Sequence, residues 1–204
     1  YLLGTRDVVF HAKVMQEMFV GGLYSFADAI AEHGLMGRLS AMNTNMIDDI
    51  HKTFIAGRLP FGDLKWVPKG LAPDTGIVRD PGLGTIGSGN HFVEIQEVSS
   101  IVNQQLAYDM GLKQGYLTFM IHSGSRHVGK HVGGLWKRKV MDAWPKGVKY
   151  PANRIFSLVD PALMKDYLSA QATAANYGAV NRIVLAELMR IAINEIVGIT
   201  PMPL

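Results

Sequence analysis

The segment Gly82-Leu83-Gly84-Thr85-Ile86-Gly87-Ser88-Gly89 constrains the fold of this chain more than any other. Gly82 to Gly87 fits the dinucleotide pattern G-x-G-x-x-G letter for letter. That fingerprint works only when a helix follows at once, because the helix N-terminus receives the pyrophosphate. Here the continuation is Asn90-His91-Phe92-Val93-Glu94-Ile95, which reads as a turn leading into a strand. A doubly wound nucleotide fold is therefore set aside. Two reasons for the glycines stay open: a tight approach to the strand that needs positive φ, or a backbone passing close to a bound group.

The flanking patterns give a mixture of helices and strands without regular βαβ alternation, so the expected fold class is α+β. From Val8 to Glu32 apolar residues recur at helical spacing, among them Val14, Met15, Met18, Phe19, Leu23, Phe26 and Ile30, with Gly34 as the stop. The Gly21-Gly22 pair is placed to kink or divide this helix. A second helix is expected through Ile47, Ile50, Phe54 and Ile55, closed by Gly57 and Pro60. From Pro60 to Gly89 the sequence reads as a long irregular connection, which compact domains reserve mainly for sites. Strands are expected from His91 to Val98, with Phe92, Glu94 and Gln96 on one face, and from Tyr116 to His122. A helix starting near Ser125 carries Lys130, Lys137, Arg138 and Lys139; an Ala-rich one runs from about Pro161 to Val197 and stops at Gly198.

The chain has 204 residues, 48% of them hydrophobic and 18% charged, which suits one domain with a substantial core and excludes disorder. Its net charge of +3 tolerates a polyanionic partner without demanding one. There is no cysteine, hence neither a disulfide nor a thiolate metal site within these residues, and an intracellular, cytoplasmic setting is expected. No apolar run approaches the roughly 18 residues of a membrane span, and no secretory leader pattern opens the chain. It begins with Tyr1 rather than Met, so a processed or partial polypeptide is expected.

His91 begins one expected strand and His122 ends the other, each beside a Gly- and Ser-rich loop. Strand ends next to loops are where scaffolds place functional side chains, and imidazole suits manganese, iron and zinc. Metal ligands and hydrogen-bonded structural histidines are both open readings of this pair. His127 and His131 lie four apart on the next helix, but Val128 stands where a zinc protease motif needs Glu, so a solvated basic face accounts better for them. Arg126 follows Gly124-Ser125 at a helix start, where a guanidinium and backbone amides suit a phosphate; an ordinary surface arginine is the alternative.

Taken together, Gly84-Thr85-Ile86-Gly87-Ser88-Gly89-Asn90-His91-Phe92-Val93-Glu94 and His122-Ser123-Gly124-Ser125-Arg126 resemble the two central motifs of the RtcB family of tRNA-splicing RNA ligases, in order and at the family's separation. The Asn181-Arg182 pair also looks like a family feature, and the resemblance covers nearly the whole chain. It implies an RtcB-like mixed sheet core with flanking helices, and that residues 1–204 form the central part of a single catalytic domain whose N- and C-terminal parts are absent. It implies further that His91 and His122 ligate manganese and that Asn90, His91, Phe92 and Glu94 form the nucleotide site. Asn90 would meet the phosphate, Phe92 border the guanine, and Glu94 accept hydrogen bonds from its N1 and N2 positions. Arg126 would meet an RNA phosphate.

The implied chemistry uses GTP and Mn2+ to guanylylate a histidine and then joins an RNA 3′-phosphate or 2′,3′-cyclic phosphate to a 5′-hydroxyl, as in tRNA splicing or RNA repair. The implied partners are tRNA halves or broken RNA and an archease-type helper, with no membrane. No catalytic nucleophile is expected among the seven histidines here; it would lie beyond Leu204, with a further His ligand, while the family's Asp and Cys ligands would lie upstream. The chain alone is therefore expected not to ligate. The alternatives are a non-ligating relative that keeps a metal, nucleotide or RNA pocket, and a His-based metallohydrolase.

Overall fold

The computed structural model describes residues 8–41, 61–199 and 201, and the helix expected around Ile47 to Ile55 lies outside the described residues. The class is α+β. In chain order the elements are β1 (Val8–His11), α1 (Ala12–His33), β2 (Met36–Gly37), β3 (Ile77–Arg79), β4 (Phe92–Glu97), α2 (Gln104–Asp109), β5 (Leu117–His122), α3 (Arg126–Asp142) and α4 (Pro161–Val197), with short 3-10 turns at Arg38–Ala41 and Leu64–Trp66. Two small sheets result, β2-β1-β3 and β4-β5, and every pairing in them is antiparallel.

The first helix starts later than its periodicity suggests. Val8, Val9 and Phe10 are buried in β1, and the helix begins at Ala12, where His11 Nδ1 accepts from the Lys13 amide at 3.3 Å. A short apolar run satisfies a strand and the first turn of a helix equally well, so spacing alone cannot separate them. The glycine pair does divide α1: Gly22 has φ 74°. The break frees the carbonyls of Phe19 and Val20, and both are satisfied from other segments. Asn176 Nδ2 on α4 donates to them at 3.1 and 3.4 Å, and the Gly62 amide donates to Val20 at 2.8 Å. A side chain at position 22 would be strained, and its Cβ would lie 2.8 Å from Asn176 Oδ1.

Three helices build the core against β1. Met15, Met18, Phe19 and Phe26 of α1 pack with Val128, Val132 and Trp136 of α3 and with Tyr177, Val180 and Val184 of α4. Phe19 stacks on Tyr177 at 5.8 Å between centroids. The ends of α4 fall where its punctuation puts them. Asp160 caps the Ala162 and Leu163 amides, Pro161 occupies the first turn, and Gly198 closes the helix in the left-handed region. At 1.5 Å per residue this helix is about 55 Å long, enough to pass under α1, the glycine-rich loop and the start of α3.

Candidate functional site

The register of one ribbon assembles the site. β4 and β5 pair antiparallel with Phe92 opposite His122, so the start of the first strand meets the end of the second. The loop 82–91 and the loop 123–125 therefore lie side by side. The His91 and His122 rings are 5.7 Å apart between centroids, in an edge-on arrangement, and the Phe92 ring stacks on His122 at 5.2 Å.

His91 Nδ1 lies 2.8 Å from the Ser88 carbonyl. Since a carbonyl only accepts, that nitrogen carries the proton and Nε2 keeps its lone pair, the tautomer a metal-binding imidazole needs. Gly124 of the facing loop leaves room beside that nitrogen: a Cβ added there would still be 3.9 Å from Nε2. The donor set thus suits a divalent cation as far as two imidazoles go. Among the described residues no group of three or more His, Cys, Asp or Glu side chains converges to complete a coordination sphere.

Of the other residues singled out from the sequence, Asn90 is exposed in the turn before β4, and Glu94 is exposed two positions beyond Phe92 on the same strand face. Glu94 Oε2 accepts from Gln96 Nε2 at 3.0 Å, which holds the carboxylate along the ribbon. Arg126 is half-buried and opens α3 with φ 47°, a left-handed conformation that costs a non-glycine residue about 1–3 kcal/mol. Its Nε donates to Thr85 Oγ1 at 2.8 Å. The guanidinium passes beneath Gly87, where a Cβ would lie 2.2 Å from Arg126 Nη1 and 3.1 Å from His91 Cγ. That close approach, with φ 121°, is why position 87 must be glycine. The structure thus brings His91, His122, Phe92 and Arg126 together.

One side chain ties both loops to the core. Asn181 on α4 is fully buried; its Oδ1 accepts from the Gly84 amide at 2.8 Å and the Thr85 amide at 3.3 Å. Its Nδ2 donates to the Thr85 carbonyl, Ser123 Oγ and the Gly124 carbonyl, at 3.1, 3.1 and 3.0 Å. Ser123 in turn donates to the Ile86 carbonyl at 2.6 Å, and Arg182 Nη1 donates to the Ser123 carbonyl at 3.1 Å. The hydroxyls of Thr85 and Ser123 are structural parts of the site that motif reading passes over. Their signal is a small hydroxyl residue inside each glycine-rich loop.

A second buried cluster supports the loop from below. Asp80, 1% exposed, accepts from the Gly82 amide at 2.7 Å and from the Tyr177 hydroxyl at 2.7 Å. Burial, then the Asp80 carboxylate beside it, push the Tyr177 hydroxyl far above the ordinary tyrosine range, so it remains a donor. His127 reaches this cluster while its side chain stays 39% exposed: its Nε2 is 3.5 Å from Asp80 Oδ1, and its ring meets Tyr177 edge-on at 5.9 Å. His131, one turn further along the helix, is more exposed, and among the described residues no carboxylate faces it.

The family model for tRNA-splicing ligase RtcB matches residues 26–203. The chain belongs to the RtcB family. It is 34% identical over 122 residues to the tRNA-splicing ligase RtcB of Archaeoglobus fulgidus, a match covering 59% of this chain and 25% of that protein. The RNA-splicing ligase RtcB of Mycobacterium tuberculosis is 36% identical over 126 residues, covering 60% of this chain and 28% of that protein. The Thermococcus kodakarensis tRNA-splicing ligase RtcB is 35% identical over 118 residues, 57% of this chain and 24% of that protein. The match spans about a quarter of the length of these RtcB relatives. No helix among the described residues of this RtcB-family chain is long and apolar enough to cross a membrane.

Proposed function

We propose that this chain is the part of a GTP- and manganese-dependent RNA ligase that supplies two metal ligands and the guanine end of the nucleotide site. One observation supports this reading above the rest: the β4-β5 register sets Phe92 opposite His122 and brings two imidazoles within 5.7 Å. His91 and His122 would hold Mn2+, with the remaining ligands coming from the longer protein, and a metal held there would supply Lewis-acid polarisation of the nucleotide α-phosphate.

The family resemblance gives each of the other residues a role that suits its chemistry. Asn90, in the turn before β4, directs its amide to the phosphate. Phe92, braced on His122, offers a ring edge to the base. Glu94 presents two acceptor oxygens to the N1–H and N2–H donors of guanine; adenine has no N1–H, so the carboxylate selects against it. Arg126 uses Nε on Thr85 and keeps its terminal nitrogens for an RNA phosphate. In the reaction these residues serve, a histidine elsewhere in the longer protein displaces pyrophosphate from GTP and carries the GMP. The GMP passes to the RNA 3′-phosphate, and the 5′-hydroxyl of the second strand displaces it to seal the ends.

The test is incubation of the full-length protein with α-labelled GTP and MnCl2, followed by RNA ends bearing 3′-phosphate and 5′-hydroxyl. A protein–GMP adduct and joined RNA are expected, both lost in His122→Ala. Equal adduct yield from the His122→Ala protein would refute the metal role.

A further inference from the structure

Positive charge is distributed unevenly along this chain. Between Arg126 and Val159 eight Lys and Arg stand against one acid, Asp142, whereas the whole chain has 20 Lys and Arg against 17 Asp and Glu. The rest is consequently acidic, with twelve cations against sixteen carboxylates. Much of the excess lies on α3. Val128, Val132 and Trp136 bury one face of that helix, and Lys139 turns inward over the Trp66 and Trp136 rings at 5.3 and 5.4 Å. Arg126, Lys130, Gly133 and Lys137 follow the i, i+4, i+7, i+11 spacing of the opposite face, and Arg138 flanks it. Lys130, Lys137 and Arg138 are exposed, and among the described residues no carboxylate pairs with them.

An independent observation falls on the same face. Gly133 and Gly134 lie in the helix interior between the cations, and a Cβ added at either meets nothing within 4 Å. Glycine is the poorest helix former after proline, and no packing within the described chain calls for it here. What the pair provides is a bare stretch of helix, flanked by lysines, that a bulky ligand can approach closely.

We propose that the outer face of α3, from Arg126 through Lys130 and the Gly133-Gly134 gap to Lys137 and Arg138, is the track along which the RNA backbone runs away from the ligation site. The proposal rests on the ligase reading above, which puts a terminal phosphate at Arg126. From there to Lys137 is about 16 Å of helix, and single-file cations over that length match a chain of phosphates. A membrane surface suits the face poorly, because the apolar side of α3 is already buried in the core and cannot insert.

The test measures binding of a fluorescent single-stranded RNA with a 3′-phosphate to the full-length protein across a salt series. Single-strand contacts each contribute about 0.7 to the slope of log K against log salt, so K130Q/K137Q/R138Q should lower that slope by about 2. Gly134→Gln should also weaken RNA binding while leaving the melting temperature unchanged or higher. If the triple variant misfolds, Lys137→Gln alone should remove about 0.7. A folded triple variant with wild-type slope and affinity overturns the track. So does displacement of the RNA by polyglutamate as readily as by unlabelled RNA, or a loss confined to phosphatidylserine vesicles. GMP adduct formation by the wild-type protein without RNA tests the ligase reading separately. An adduct with an unchanged slope sinks the track alone; no adduct with a reduced slope sinks the ligase reading, and with it the track's origin at a ligation site, leaving RNA binding by this face alone.

Discussion

Replacing Asn181 with alanine asks whether one buried amide holds both motif loops in place. The side chain is fully buried and reaches the Gly84 and Thr85 amides on one side and the Thr85 carbonyl, Ser123 hydroxyl and Gly124 carbonyl on the other. Thr85's carbonyl keeps Ser123 Oγ at 3.1 Å, so the groups left without a partner are chiefly the buried Gly84 N–H and the Gly124 carbonyl. A buried group deprived of its partner costs about 1–3 kcal/mol, so the pair costs about 2–6 kcal/mol, a large share of the roughly 5–15 kcal/mol by which domains are stable. Hydrogen exchange at the Gly84 amide is the most local assay, and even the lower figure corresponds to an acceleration of about 30-fold. On the proposed metal role, manganese affinity of the full-length protein should fall with it, since the loops position His91 and His122. A Gly84 amide that exchanges at the wild-type rate in Asn181→Ala would refute the reasoning. Asn181→Asp sharpens the test because it keeps the shape and the acceptor while removing the donor.

Three further outcomes follow from single contacts. On the proposed base site, Glu94→Gln would set a donor against the N1–H and N2–H donors of guanine, so GTP preference over ATP should fall by about 10- to 100-fold in competitive adduct formation; an unchanged preference removes Glu94 from the base site. Tyr177→Phe leaves buried Asp80 without its hydroxyl donor and should cost about 1.5–3 kcal/mol in urea unfolding. In the wild type the Tyr177 hydroxyl ionises far more readily unfolded than folded, so stability is intact below about pH 10 and declines above it; Tyr177→Phe should flatten that decline. Gly22→Ala forces a side chain into φ 74° and towards Asn176 Oδ1, and should cost about 1–3 kcal/mol, read as a lower melting temperature.

The parts of this fold that are legible in the sequence are those with local punctuation. Asp160-Pro161 and Gly198 mark α4 to the residue, and alternation between glycine-bearing turns marks β4 and β5. The beginning of α1 is not legible, because Val8 to Phe10 satisfy a strand and a helix alike. Within the site, His91 and His122 stand out as strand-end histidines, but their approach depends on a register that no residue in either strand declares. Asp80 and Tyr177 lie 97 positions apart, and nothing local to either anticipates the hydrogen bond between them. The contact of His127 is hidden for the same reason: the carboxylate it faces, Asp80, stands directly after β3 and 47 positions away in sequence.

α4 explains why such contacts escape periodicity. Thr173, Asn176, Tyr177 and Asn181 recur at helical spacing on its buried face, where an amphipathic helix is expected to be apolar. Each sends a polar atom to backbone, a hydroxyl or a carboxylate, and Tyr177 also stacks its ring on Phe19. Thr173 Oγ1 accepts from the Asp63 amide, Asn176 donates to the broken turn of α1, Tyr177 donates to Asp80, and Asn181 joins the glycine-rich loop to the Ser123 loop. Gly178, among them, lets the helix close on Ser125, whose amide would lie 3.2 Å from a Cβ there. Irregular segments carry polar groups that no ladder satisfies, so a helix that packs on loops must offer hydrogen bonds where others offer leucine. The inward polar stripe is therefore the complement of the turns and loops it packs on, and the geometry of His91, Arg126 and His122 is set by α4 as well as by the ribbon that carries the histidines.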